Sequence, residues 1–219
     1  MAETARLTEE LVRAHVPAPL VERVLEAAAA PGAVAFRALF AGIPRRLAAS
    51  ATASVQPTPP LAARARPHFT LTDWTRLLLV LRALERLPPA EGPAFLLRTY
   101  EAGEIGEQES VLRTLSLLDD PARFAETGVA GCRTNAKRVF EAIACDNPFP
   151  AAHFPELNFN QLVMKAVFIE APVARIEGLP ARRTPELLRM ARDYASERRA
   201  ASRPVPPDVA LIVGEPAPA

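Results

Sequence analysis

Residues 69–84 read FTLTDWTRLLLVLRAL and predict one helix along most of their length. Thr70 is suited to cap this helix, and Asp73 three residues later completes a capping box. Phe69 and Trp74 occupy the two positions of a hydrophobic staple. From Trp74 onward the large apolar residues recur at helical spacing, so we expect one buried stripe along the helix. The residues on this stripe are Trp74, Leu77, Leu78, Leu81 and Leu84.

Helical patterns also lie on both sides of this segment. A helix anchored by Phe36 and Phe40 precedes it, and Pro44 predicts a break or kink in that helix. No stretch shows the sustained alternation of apolar and polar residues that is typical of a strand. The sequence therefore predicts an all-α fold, either an irregular multi-helix bundle or a stack of α-hairpins, with no sheet. The other predicted helices are residues 4–16, 19–30, 90–101, 107–118, 131–145, 155–170 and 184–202.

Composition divides the chain into four predicted segments. Residues 1–47 carry the N-terminal helices, and residues 69–203 form the main helical domain. Residues 48–68 are rich in Ala and Pro and lack an apolar period, which indicates a flexible linker or a long surface loop. Residues 204–219 form a Pro-rich tail that we expect to be extended and mobile.

Charge and cysteine usage restrict the compartment and the partners. Hydrophobic residues make up 49% of the chain, which indicates a globular protein, and the net charge of +1 gives no reason to expect nucleic-acid binding. Apolar runs are far shorter than the roughly 20 residues that a membrane span needs, and residues 1–10 do not resemble a signal peptide. Cys132 and Cys145 would lie about 20 Å apart on the predicted helix 131–145, too far for a disulfide. We therefore expect a cytoplasmic protein with reduced thiols.

Lys165 is the centre of the candidate polar site. The second half of the predicted helix 155–170 is apolar on every side except at Lys165, which indicates a buried helix. A buried ammonium group needs a partner, so we expect a carboxylate beside it, with Glu141, Asp146, Glu156 and Glu170 as the candidates. Two interpretations follow: a polar pocket that binds a small ligand, or a buried ion pair that fixes the crossing of two helices.

Neighbouring polar residues extend this cluster. Asn147 lies in a proline-rich turn, where its side chain can brace the backbone. Arg133 and Asn135 lie at the predicted start of the helix 131–145, which favours either helix capping or anion binding. His153 and Glu156 have a spacing that some metal sites use, but Pro155 and the lack of a second histidine argue against a metal. We expect no metal and no cofactor.

His15 and His68 are isolated in the sequence, and we expect both to be exposed.

The segment 131–166 carries a specific central motif, made of Arg133-Thr134-Asn135, residues 139–144, Asn147-Pro148-Phe149-Pro150-Ala151, His153-Phe154, Asn160-Gln161 and Lys165-Ala166. This motif resembles the EboA family. The similarity covers roughly residues 36–203 and is most specific in the central motif.

This resemblance implies a bacterial accessory protein encoded beside a membrane prenyltransferase. Gene clusters of this kind are associated with the movement of secondary-metabolite precursors towards the cell envelope. The resemblance transfers no catalytic residue. The polar positions shared with the family are Arg133, Asn135, Glu141, Asn147, His153, Asn160, Gln161 and Lys165.

Two functional hypotheses follow from these observations. The first is a non-enzymatic helical adaptor or carrier that handles a secondary-metabolite precursor, with prenylated precursors as one class. The second is an unrecognised enzyme that uses Glu141, His153 and Lys165 for acid–base chemistry. An enzyme should gather these side chains around an open cavity. An adaptor should bury these side chains in a closed network and present an apolar patch elsewhere.

Overall fold

The computed structural model describes residues 2–57, 59–62 and 69–214. Within these ranges the chain forms helices and turns and no strand, and Ser54 and Thr70 make an isolated antiparallel bridge. The predicted all-α fold is therefore confirmed. Contacts between residues divide the chain into two compact units, Met1–Gly131 and Cys132–Ala219.

The first unit contains eight α-helices in its described part, joined by short connections. Short 3-10 turns lie at Ala48–Ser50, Pro89–Glu91, Leu115–Leu117 and Pro121–Phe124. The helices are α1 (Ala2–His15), α2 (Ala18–Ala28), α3 (Val34–Leu47), α4 (Pro59–Ala62), α5 (Leu71–Leu84), α6 (Gly92–Glu101), α7 (Ile105–Thr114) and α8 (Ala125–Cys132), the last of which ends at the boundary between the units.

Helix α5 begins as the sequence predicts. The Thr70 hydroxyl accepts a hydrogen bond from the Asp73 amide at 3.2 Å, and the Asp73 carboxylate accepts one from the Thr70 amide at 3.0 Å. The rings of Phe69 and Trp74 lie 5.0 Å apart and complete the hydrophobic staple. Both start signals in the sequence are therefore confirmed.

Burial of α5 extends well beyond the predicted stripe. Every residue of the helix except Arg82 is buried, including Thr72, Asp73, Thr75 and Arg76. The reason is that α1, α2, α3 and α7 all pack against it. The N-terminal helices thus form part of the same core as α5. The predicted domain boundaries at residues 47 and 69 stay a prediction.

The chain before α5 is held against the start of that helix. The amides of Leu71 and Thr72 donate to the carbonyls of Ala53 and Ala51 at 2.8 and 3.2 Å. Leu61, in the short α4, is buried. These contacts favour the surface loop over the flexible linker as the interpretation of the described residues in 48–68. His68 lies outside the described residues, and His15 is exposed as predicted.

Pro44 does not break α3, which continues through it to Leu47. A proline has no amide hydrogen, so the carbonyl four residues earlier, that of Phe40, loses its helical donor. The buried guanidinium of Arg76 supplies a replacement, because its Nε donates to the Phe40 carbonyl oxygen at 3.0 Å. The same guanidinium lies over the Phe40 ring, 5.0 Å from its centroid. The predicted break is therefore wrong, whereas the alternative of a kink stays a prediction. A side chain from α5 compensates for the missing hydrogen bond.

The Arg76 guanidinium also joins α5 to α7 through a buried polar network. Its Nη1 donates to the Gly106 carbonyl at 2.7 Å and to the Ser110 hydroxyl at 2.9 Å. The Ser110 hydroxyl donates in turn to the Asp73 carboxylate at 2.7 Å, and Arg113 approaches the other oxygen of that carboxylate at 3.5 Å. Burial lowers the pKa of Arg76, and the charges of Glu107, Asp73 and Glu109 oppose that shift.

The second unit is also helical. Short 3-10 turns at Val173–Arg175 and Leu179–Arg182 separate its longer helices. Arg182 closes the connection at residues 154–155, because its guanidinium donates to the carbonyls of Ala151 and Phe154 and lies over the Phe159 ring. The helices are α9 (Lys137–Ala144), α10 (Phe149–His153), α11 (Glu156–Phe168), α12 (Pro185–Ala200) and α13 (Asp208–Val213).

The predicted helix 131–145 is wrong in its first part. Helix α8 ends at Cys132 and α9 begins only at Lys137, so residues 133–136 form a connection. Arg133 and Asn135 therefore precede the helix rather than start it. The Thr134 hydroxyl accepts a hydrogen bond from the Ala136 amide at 3.1 Å, a local bond that competes with helix formation. The two cysteines are free thiols, as predicted, but they do not share a helix.

The prediction of an extended tail is also wrong for residues 208–213. Residues 208–213 form α13, in which Val209 and Ile212 are buried. Pro207 directly precedes the helix, where a proline costs no hydrogen bond, and Gly214 ends it with a positive φ of 79°. Arg183 fastens the helix through a 2.7 Å hydrogen bond to the Leu211 carbonyl. Prolines that indicated an extended tail in the sequence therefore begin a helix instead.

We predict that Arg76→Met lowers the free energy of unfolding by about 3 kcal/mol, because it leaves the buried Phe40 carbonyl and the Gly106 carbonyl without this donor. Arg45→Met is the matched control, since Arg45 is exposed on α3, and it should change stability little. Urea denaturation followed by circular dichroism measures both. Equal losses for the two variants would show that the network does not stabilise the first unit.

Candidate functional site

Lys165 bonds backbone oxygens rather than a carboxylate. Its Nζ donates to the carbonyls of Cys132 and Thr134, each at 2.7 Å, and lies 5.5 Å from the centroid of the Phe140 ring. Within the described residues no carboxylate lies within ion-pair distance of this nitrogen. The predicted carboxylate partner is therefore wrong.

This arrangement explains the connection between α8 and α9. Two carbonyl oxygens and an aromatic face together provide the negative partial charge that a half-buried ammonium group needs. Because both carbonyls belong to residues 132–134, Lys165 of α11 holds this connection in place. A role in fixing how the two helices cross stays a prediction, with backbone oxygens in place of the carboxylate.

Asn147 braces the turn before α10. Its amide nitrogen donates to the Ala142 carbonyl at 3.0 Å, and its amide oxygen accepts from the Phe149 amide at 3.0 Å. The side chain is buried. These are the side-chain to backbone bonds that the sequence predicts for an asparagine in this turn.

The two predicted carboxylates of the cluster have partners of their own. Glu141 lies 4.0 Å from the Lys137 ammonium on the same helix. Asp146 accepts a 2.9 Å hydrogen bond from Arg175, and its carboxyl group is more than a third exposed. Acid–base chemistry that joins Glu141 or Asp146 to Lys165 would need these pairs to separate first.

The other predicted residues differ in exposure. Arg133, Asn135 and Gln161 are exposed, while His153 is half-buried with its ring 5.0 Å from the Phe149 ring. Asn160 is buried, and its amide donates to the Thr184 hydroxyl that caps α12 at 3.3 Å. A ligand-binding role for these residues stays a prediction. Among the described residues, no group of three or more His, Cys, Asp and Glu side chains is arranged to hold a metal ion.

A cleft of about 550 Å³ lies in the first unit, between α3, α6 and the start of α7. Its floor contains the rings of Phe36, Phe40 and Phe95, all of them buried. The Phe36 ring meets the Phe95 ring edge-on at 5.3 Å and stacks on the Phe40 ring at 6.1 Å. The rim is charged and mostly exposed, and its charged residues are Arg37, Glu91, Arg98, Glu104 and Glu107.

The family described as "Metabolite traffic protein EboA" matches residues 21–214. This match covers most of the chain and includes both units. The chain belongs to the EboA family. No curated protein and no solved structure matches the chain significantly.

Family membership confirms the resemblance and extends it at both ends. The sequence indicated similarity over roughly residues 36–203, whereas the family match begins at residue 21 and ends at residue 214. It therefore includes most of α2 and the whole of α13, and the sequence did not predict α13 as a helix. The family description is consistent with a role in handling metabolites. In the described part of this EboA protein, no helix combines the length and the apolar character that crossing a membrane requires.

The sequence did not indicate the cleft. It identified Phe36 and Phe40 only as apolar anchors of their helix. A cleft depends on the distance between neighbouring helices, and no residue pattern within one helix reports that distance. The closest signal in the sequence is the pair of phenylalanines four residues apart in α3, which places two rings on one helix face.

We predict that Lys165→Met lowers the free energy of unfolding of the EboA protein by about 2 kcal/mol, because two charge-assisted hydrogen bonds are lost from a half-buried site. Lys137→Met is the matched control, since the Lys137 ammonium also donates to a carbonyl, that of Glu170, but is exposed. It should produce a smaller loss in urea denaturation.

The pH dependence of the stability loss caused by Lys165→Met distinguishes a carbonyl partner from a carboxylate partner. A carbonyl does not titrate, so the loss caused by Lys165→Met should be the same at pH 7 and pH 4. A loss that shrinks towards pH 4 would indicate a carboxylate partner and contradict the observed contacts.

The two cysteines should be unreactive in the folded protein. Burial raises the pKa of Cys132 to about 12 and that of Cys145 to about 11, so both remain protonated thiols at pH 8. We expect their reaction with a thiol-specific disulfide reagent to be more than about 100-fold slower in buffer than in guanidinium chloride. Rapid modification of either cysteine in the folded protein would contradict these raised pKa values.

Proposed function

We propose that this EboA protein is a non-enzymatic, cytoplasmic accessory protein that handles a secondary-metabolite precursor on its way towards the cell envelope. Prenylated precursors are one class of cargo under this proposal. Its partners would be proteins encoded in the same gene cluster, including a membrane prenyltransferase. The proposal involves no cofactor.

The observation that carries the proposal is the family match over residues 21–214, together with the family's description as a metabolite traffic protein. The contacts of the polar cluster give it further support. Lys165 donates hydrogen bonds to two carbonyls, and the Asn147 side chain bonds the backbone of its own turn. Asp146 accepts a hydrogen bond from Arg175. Side chains held in this way serve the fold and are poorly placed to exchange protons with a substrate.

An unrecognised enzyme is the alternative function. It would use a polar pocket around Glu141, His153 and Lys165. The half-buried His153 favours it, because an imidazole in partial contact with solvent can transfer protons near neutral pH. Glu141 and Lys165 would have to reach the same substrate as His153.

Native mass spectrometry of the full chain, purified from its own host, tests the proposal. We expect a non-covalent adduct of a small molecule or of a partner chain, which is absent when the same chain is made in a host without the gene cluster. Denaturing mass spectrometry of the same sample should give the mass of the unmodified chain. The released small molecule should keep its mass when it is incubated again with fresh protein.

Two results would contradict this proposal. Conversion of the released molecule into a product would identify an enzyme. A chain that carries neither a small molecule nor a partner in its own host would argue against metabolite handling altogether.

A further inference from the structure

The exposed side of α11 carries large apolar side chains. Leu157 and Phe168 are 62% and 57% exposed, and Gln161 between them is also exposed. At about 100° per residue these three positions fall within about 40° of one another around the helix axis. They therefore form one surface, which we call the α11 face.

The α11 face contains no charged residue. The whole helix has two charged side chains, those of Glu156 and Lys165. Glu156 lies about 100° around the helix from Leu157 and so points away from the face. The Lys165 ammonium already donates to the carbonyls of Cys132 and Thr134. A partner on this face would therefore meet apolar side chains and an amide.

Helix α12 of the same unit has the opposite composition. Seven of its sixteen residues are charged, namely Glu186, Arg189, Arg192, Asp193, Glu197, Arg198 and Arg199. Arg189 forms ion pairs at 2.6 Å with carboxylates on both sides of it along the helix. Charged residues are depleted in the core of protein interfaces, and aromatic residues are enriched there. The α11 face thus resembles an interface, whereas the surface of α12 resembles one that faces water.

Phe168 is held in place at one end of the face. Its ring meets the Tyr194 ring of α12 edge-on at 5.0 Å, and the Arg198 guanidinium lies 5.9 Å from the centroid of the Tyr194 ring. A ring that is already packed on a neighbour loses little side-chain entropy when a partner binds. Exposed and held in this way, Phe168 is suited to anchor a contact with another protein.

The geometry of the face suits a second copy of the chain. Leu157 and Phe168 are eleven residues apart, which corresponds to about 16 Å along the helix. Two α11 helices can pack antiparallel about a two-fold axis that passes midway between these residues. Each Leu157 then contacts Phe168 of the other copy. Gln161 lies about 2 Å from the midpoint, so the two Gln161 amides meet at the centre.

The charge pattern also favours a second copy over a different partner. A side chain near a two-fold axis meets its own copy, so a charge in that position repels itself. An amide both donates and accepts hydrogen bonds, so two copies of Gln161 can pair with each other. A partner selected by complementary charge would find no charged residue on this face to bind.

We infer that two copies of this protein associate through their α11 faces, in a two-fold symmetric dimer with the two helices antiparallel. This inference goes beyond the proposed function, because metabolite handling does not require a second copy of the chain. The face is one side of a single helix, so the interface is small. We expect a dissociation constant on the order of 10 µM.

Sedimentation velocity of the full chain at about 1 to 200 µM tests the association. We expect a monomer at the lowest concentration and mostly dimer at the highest. Phe168→Glu should remain a monomer throughout, because the dimer would bury two unpaired carboxylates. Val34→Glu is the matched control, since Val34 is 85% exposed in the first unit, and it should dimerise like the wild type.

Either of two sedimentation results would overturn the inference. One is a wild-type chain that stays monomeric at about 200 µM. The other is a Phe168→Glu variant that dimerises as the wild type does. Circular dichroism shows whether the variants are folded, and Leu157→Arg provides a second variant at the other end of the face that should also be monomeric.

Mixing the two variants tests the antiparallel arrangement. In an equimolar mixture of Leu157→Arg and Phe168→Glu chains, antiparallel packing brings the new arginine against the new glutamate and keeps one Leu157–Phe168 contact. We therefore expect a heterodimer in native mass spectrometry, although each variant alone is a monomer. A mixture that stays monomeric would overturn this arrangement. Association of Leu157→Arg with Leu157→Glu would indicate parallel helices and would overturn it as well.

Native mass spectrometry of the chain from its own host separates this inference from the proposed function. A dimer that carries neither a small molecule nor another protein would support the inference and contradict the proposed function. A monomer that retains a small molecule would do the reverse. A different protein that is bound by a monomeric wild-type chain and lost in Phe168→Glu would assign the α11 face to that protein and overturn the inference.

Discussion

The first unit depends on a carbonyl oxygen that has no donor within its own helix. Pro44 deprives the Phe40 carbonyl of its amide, and Arg76 donates to it from the buried face of α5. The same guanidinium reaches the Gly106 carbonyl and the Ser110 hydroxyl of α7. One side chain therefore connects three helices. The free-energy cost of burying the Arg76 charge is offset by its hydrogen bonds to Phe40, Gly106 and Ser110 and by nearby carboxylates.

The geometry of the cleft follows from this connection. Phe40 is bonded through its carbonyl and contacted on its ring by Arg76, so both its backbone and its side chain are held. Glu107 lies in the first turn of α7, which the Gly106 contact holds near α5. The floor and one part of the rim are thus positioned by the same guanidinium. In the second unit Lys165 acts similarly, because it holds the α8–α9 connection through backbone oxygens rather than through an acid.

Local signals predicted the fold well, whereas contacts distant in sequence decided the site. The capping box at Thr70 and the staple at Phe69 are contained within six residues, so the start of α5 could be predicted. Lys165 was correctly expected to need a partner, but its partners are carbonyls that no residue pattern reveals. The helix at residues 208–213 was missed because prolines before it resembled those of an extended tail. The cleft could not be predicted, since it arises from the spacing between helices.

A double-mutant cycle on Pro44→Ala and Arg76→Met tests most directly whether Arg76 replaces the donor that Pro44 removes. Alanine at position 44 restores an amide that can donate to the Phe40 carbonyl. The account predicts that Arg76→Met then costs less than it does beside proline, with a coupling energy of about 1 kcal/mol in urea denaturation. Strictly additive effects of the two substitutions would contradict it.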